Sequence, residues 1–202
     1  MIINNKSAHS SQKARTAIFI FLLLFASLSM VYGQEAREET PPLRERLFFG
    51  GNLGLQFGTI TDIQISPVIG LWVLPRLAVA VGPDYRFYKD SYALPPYTRT
   101  NIYGAKAYLQ FVLIKNLNSF LPIGANTGIF LQVENDLLSL ESAFWKDPYS
   151  SGRFFINTVL AGGGISQQIG RRSSLNFMVL WALNDSGYGI YSNPEIRISF
   201  TF

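Results

Sequence analysis

Five charged residues in otherwise charge-poor surroundings have the clearest capacity for chemistry: Asp84, Arg86, Lys106, Glu195 and Arg197. Asp84 and Arg86 stand two positions apart, as do Glu195 and Arg197, within runs where large apolar residues alternate with small or polar ones. In a β-strand, period two places both members of such a pair on one face. Opposite charges on a shielded face have two uses. They form a gate or proton path, or a salt-bridged plug in which buried charges satisfy one another. Asp84 lies about eight residues from the link at 74–76 and Lys106 about nine from the link at 114–119. At a rise of about 3.3 Å per residue, the two are expected level on neighbouring strands.

Other chemistry is scarce. The chain has no cysteine, and its one histidine is His9. If residue 9 belongs to a removed leader, the remainder has no Ser-His or Cys-His nucleophilic pair and lacks the commonest transition-metal ligands. A non-enzymatic protein without cofactor or metal is expected. Gly162, Gly163 and Gly164 have no helix pattern after them, so close packing explains them better than phosphate binding.

The N-terminal segment accounts for much of the charge imbalance. Residues 1–15 carry Lys6, Lys13 and Arg15 and no acid, and the stretch AIFIFLLLFASLSMV at 17–31 has no charge. It is shorter than the roughly 20 residues of a spanning helix. Val31 and Gly33 follow at positions −3 and −1 of a possible cleavage site. This is the pattern of a secretory signal peptide over 1–33, with cleavage near Gly33/Gln34. Of 17 basic and 13 acidic residues, removal leaves 14 against 13. The basic balance is therefore no argument for a nucleic-acid partner. Residues 34–46 (QEAREETPPLRER) read as a polar leader.

From residue 47 the texture is strand-like throughout. Eight strands are expected, at 47–57, 62–73, 77–88, 101–113, 120–133, 153–168, 174–184 and 194–202. Links after the second, fourth and sixth are short; those after the third, fifth and seventh are longer. An even strand count with alternating links suits a closed up-and-down barrel with both ends of the chain on one side. The faces differ in kind. One carries Ile63, Ile65 and Ile69, Val79 and Val81, Leu109 and Phe111, and Ile196, Ile198 and Phe200; the other is small, polar or charged. A water-facing surface would be rich in Lys, Glu and Asp, whereas the small face here suits the inside of a narrow barrel. Such a bore is just wide enough to be filled by side chains, which favours the plug. Pro67, Pro83 and Pro122 lack ladder donors, and bulges are expected there.

The stretch FFGGNLGLQFGTITDIQISPVIGLWVLPRLAVAVGPDYRFYKD, with the ending ISFTF, resembles the small eight-stranded outer-membrane barrels of OmpA/OmpX-like architecture. It looks most like the outer-membrane β-barrel family of the Bacteroidota. The resemblance covers 47–202, without the peptidoglycan-binding domain that follows the OmpA barrel. It implies an all-β, closed antiparallel transmembrane barrel in the outer membrane of a Gram-negative cell, with outer-membrane lipid and the barrel-assembly machinery as partners. It also implies Phe202 as the signal that machinery reads. The longest expected link, 134–151, carries Leu137, Leu138, Leu140, Phe144 and Trp145. These form an exposed binding patch, or they pack together on strands that run further than the pattern indicates. Three functions stay open: a structural, adhesive or surface-interaction barrel with a plugged lumen; a narrow, porin-like pore; and a secreted lipocalin-like barrel holding an apolar ligand. The last requires an apolar interior and a charged exterior.

Overall fold

A computed structural model describes residues 41–92, 98–119, 126–184, 187–191 and 193–202. The expected signal peptide, residues 34–40 of the leader, and Pro122 lie outside the described residues. Eight antiparallel strands pair in sequence order and close into a barrel. They are β1 (Leu47–Gln56), β2 (Ile60–Leu74), β3 (Leu77–Asp90), β4 (Arg99–Ile114), β5 (Thr127–Glu141), β6 (Arg153–Gln168), β7 (Ser174–Ala182) and β8 (Glu195–Thr201). The end of the leader forms one helical turn, α1 (Leu43–Arg46). Arg46 Nε from it donates to the Trp72 carbonyl at 2.7 Å. A second turn, α2 (Ser142–Trp145), follows β5.

The alternation of the sequence becomes the two faces of the wall. On β2, Gln64, Ser66, Val68 and Gly70 are buried while Ile65, Pro67 and Ile69 are exposed. On β8, Arg197 and Ser199 are buried while Ile196, Ile198 and Phe200 are exposed. Large apolar side chains thus cover the outside, with Ile196 75 % and Phe155 70 % exposed. The seam between β1 and β8 is the shortest, running from Gly50↔Thr201 to Leu53↔Ile198. It is extended by Phe49 and Phe202, whose main chains exchange hydrogen bonds of 3.1 and 2.7 Å.

The prolines behave differently from expectation. The β2–β3 ladder lapses between Ile65↔Tyr85 and Ile69↔Val81 and then resumes in the same register. That register sets Pro67 opposite Pro83, so two residues without N–H groups meet where the ladder is interrupted. No residue is inserted. The strands also approach closely here: a Cβ on Gly82 would collide with the Pro67 carbonyl, so only glycine fits. The irregularities in register lie instead at Trp72/Leu74 and Val112/Ile114, near one rim. Gly162 and Gly164 meet the same constraint against the main chain of Val179 and Phe177, which accords with close packing.

The largest departure concerns the fifth strand. It was expected at 120–133 and is found at Thr127–Glu141. The link after β4 therefore spans 115–126 and is no longer short, so the regular alternation of link lengths does not hold. Both ends of the barrel sequence still meet one rim, with the 75–76, 115–126 and 169–173 links; this is called the near rim. The far rim carries the 57–59, 91–98, 142–152 and 183–194 links.

Candidate functional site

The inward residues of β5 describe the lumen from near to far rim: Phe130, Gln132, Glu134, Asp136, Leu138 and Leu140, all buried. A charged layer is held between two apolar ones.

The register explains the charged layer. Lys106 stands opposite Asp136 on the β4–β5 ladder. Its Nζ is 3.1 Å from Glu134 Oε1 and 3.9 Å from Asp136 Oδ2. From across the bore, Arg197 Nη1 contacts the same Glu134 oxygen, Nη2 lies 3.7 Å from Asp136 Oδ2, and Nε donates to Glu195 Oε1 at 3.3 Å. Arg86 lies 3.4 Å from Asp62 Oδ2 and 3.7 Å from Glu195 Oε1. All five charged residues singled out from the sequence therefore face the lumen, but Asp84 and Lys106 are not a pair. The ladder sets Lys106 opposite Gly82 and Asp84 opposite Gly104, two residues out of step. Asp84 instead accepts from Gln64 Nε2 at 2.9 and 3.1 Å and from the Ser66 hydroxyl.

Four partners were not singled out from the sequence: Asp62, Glu134, Asp136 and Tyr191. Glu134 and Asp136 lay in the stretch assigned to a link. Tyr191 lies in the 183–194 link, which folds back into the bore. Its hydroxyl donates to Asp136 Oδ2 at 2.5 Å. The guanidinium groups of Arg86 and Arg197 sit 4.8 and 5.4 Å from the centre of its ring. One residue earlier, the Ile190 carbonyl accepts from Arg86 Nη1 at 2.7 Å. The layer holds five carboxylates, from Asp62, Asp84, Glu134, Asp136 and Glu195, against three cations. Buried charge is tolerated only when paired and hydrogen-bonded, and side chains from five strands and one link supply that here.

Above this layer the far rim is apolar. Ile102, Leu138, Leu140, Ile156 and Ile190 are buried together. Over them, Trp145 packs against Tyr88, Phe144 and Tyr188 in tilted and edge-to-face contacts at centroid distances of 5.3, 5.1 and 6.2 Å. This decides the two readings of the 134–151 segment. Leu138 and Leu140 point into the bore on an extended β5, Leu137 points outward, and Phe144 and Trp145 sit half-buried on α2. The five side chains are divided between two faces and do not form one exposed loop patch. Phe202 lies on the outer surface of the near rim, 61 % exposed.

Compared with known proteins, the chain matches no protein-family model and no curated protein.

Proposed function

We propose that this protein is an outer-membrane β-barrel, exported by a signal peptide cleaved near Gly33/Gln34, that works through its surface and conducts nothing. The resemblance of residues 47–202 to the Bacteroidota outer-membrane barrels belongs to this reading. The observation that carries it is the inversion of the wall: apolar side chains outside, ion pairs inside. Water-exposed sheets place charge outside. A membrane-spanning sheet must close and leave no edge, because lipid supplies no hydrogen bonds. The outward row Leu77, Val79, Val81, Pro83, Tyr85 and Phe87 spans a length of strand sufficient to cross the hydrocarbon core at a tilt of about 45°. The polar residues Asn135 and Asn157 on the outer face exchange amide hydrogen bonds of 2.9 and 3.1 Å, so each amide has an internal partner.

The charged interior argues against a lipocalin-like ligand chamber, and the filled far half of the bore argues against a pore. The protein's contribution is then structural, or it binds through the far-rim links, which face the outside of the cell on this reading. The outward Phe200 of β8 and Phe202 beyond its end are what the assembly machinery would engage. Membrane fractionation tests the assignment, together with gel mobility before and after boiling. Recovery with outer-membrane markers and a heat-modifiable band are expected. Recovery in the soluble fraction with no mobility shift refutes it.

A further inference from the structure

Among the described residues, the near half of the bore is only partly filled. A cavity of about 370 Å³ opens at the near rim, at the lower end of the range for small-molecule sites. Its walls combine apolar Trp72, Val112 and Phe130 with polar Gln110, Ser166 and Thr201. Phe48 closes one side, its ring 6.0 Å from that of Trp72. Phe130 is buried, and the next inward residues along β5 are Gln132 and Glu134, so the cavity ends beneath the ion-paired layer.

The mouth is different. Lys115, Arg171 and Arg172 line it, and no carboxylate side chain is among the described residues that do. Arg171 and Arg172 sit in a tight turn closed by Ile169 and Gly170 N–H donating to the Ser173 carbonyl at 2.9 and 3.2 Å. Arg172 touches the Glu45 carbonyl at 3.4 Å. Neither Lys115 nor Arg171 has a carboxylate partner among the described residues, in contrast to every cation of the mid-lumen layer. Three exposed cations converging on a partly apolar recess are the complement of a molecule that is anionic at one end and apolar at the other. Guanidinium groups bind carboxylate and phosphate oxygens in pairs of parallel hydrogen bonds.

We propose that the near-rim cavity is a binding site for a small amphiphile with one anionic head, carboxylate or phosphate, and a short apolar tail. The head meets Arg171, Arg172 and Lys115, and the tail lies against Trp72 and Phe130. The inference rests on the fold alone and not on the membrane assignment.

The test uses the full-length mature protein in phosphatidylcholine nanodiscs, or in buffer if it proves soluble. Trp145→Phe and Trp181→Phe leave Trp72 as the sole tryptophan reporter. Octyl phosphate is titrated against octanol (tail alone) and inorganic phosphate (head alone). Octyl phosphate should shift Trp72 emission saturably at one molecule per barrel, and each fragment should bind at least about tenfold more weakly. Arg171→Gln with Arg172→Gln should weaken octyl phosphate about tenfold and leave octanol unchanged. Both positions are exposed, so the fold should survive. Ser166→Phe, which fills the recess, should abolish the response to octyl phosphate and spare any response to phosphate. Equal binding of octanol and octyl phosphate, insensitive to the arginines, would overturn the proposal. So would equal binding of inorganic phosphate, or a response that never saturates and reports only partition into the bilayer.

Discussion

The two halves of this barrel are built from the same strands and the same alternation, yet they end differently. In the far half, the 183–194 link turns back into the bore, Tyr191 reaches the charged layer, and α2 lays Trp145 over the top. In the near half a recess remains among the described residues. The wall does not decide whether a narrow barrel is filled. In the far half, inward side chains meet a link long enough to return. In the near half, the small residues Ser166, Ser174 and Thr201 line the recess. A second contrast follows from the first. The mid-lumen cations are buried and paired, so they serve stability, whereas Lys115, Arg171 and Arg172 at the near rim are exposed and have no carboxylate partner among the described residues.

Substitutions should separate the halves in order of effect. Lys106→Met removes a fully buried cation from a layer already rich in carboxylates, leaving Glu134 and Asp136 to share Arg197. A loss of about 3–5 kcal/mol in urea unfolding of the reconstituted barrel is expected. Asp136→Asn should cost clearly less, because it reduces the carboxylate surplus and its amide oxygen can still accept from Tyr191. If the two changes cost the same, the accounting of charge in this layer is wrong. Val81→Arg, on the outer face, should cost roughly 2–4 kcal/mol in a bilayer if that face meets lipid at mid-depth. A negligible cost would count against the membrane assignment. Tyr191→Phe deletes one hydroxyl that Asp136 accepts from, and about 1–3 kcal/mol should be lost. Proteolysis within the 183–194 link should become faster, which would show that Tyr191 holds the link in the bore. At the near rim, Arg171→Gln with Arg172→Gln should change stability by less than about 0.5 kcal/mol. A large loss there would mean that the near-rim cations are structural and the contrast between the halves is false.

How much of this was legible depended on which residues faced inward. Where inward positions are small and outward ones large, as on β2, β3 and β8, the alternation identified both face and extent to within a few residues. It failed on β5 because of the inward series Glu134, Asp136, Leu138 and Leu140. Two charges followed by two leucines on one face, with Asn135 and Ser139 on the other, have no apolar/polar period and read as a solvated link. The charges that disguised the strand are the partners of Lys106 and Arg197. The ion-paired layer was therefore half visible: its cations and Glu195 stood out, and its two most buried acids did not. Asp84 was correctly placed on the inner face but matched to the wrong neighbour, because counting from turns ignores strand stagger. Tyr191 gave no signal. It sits among Gly, Ser and Asn residues in a link, and nothing local distinguishes a link that returns into the bore from one that extends into solvent.

On the proposed function, the bore is sealed by its own charged layer and far half. Single-channel recording of the unmodified protein in planar bilayers measures this directly, with insertion verified by protease protection of the strands. A flat baseline with no steady conductance is expected, because ions would have to cross the layer of Lys106, Glu134, Asp136, Arg197 and Tyr191. A stable, reproducible open current from the folded, unmodified barrel would contradict it. The charges would then line a water-filled path, and the far-rim aromatics would not close it.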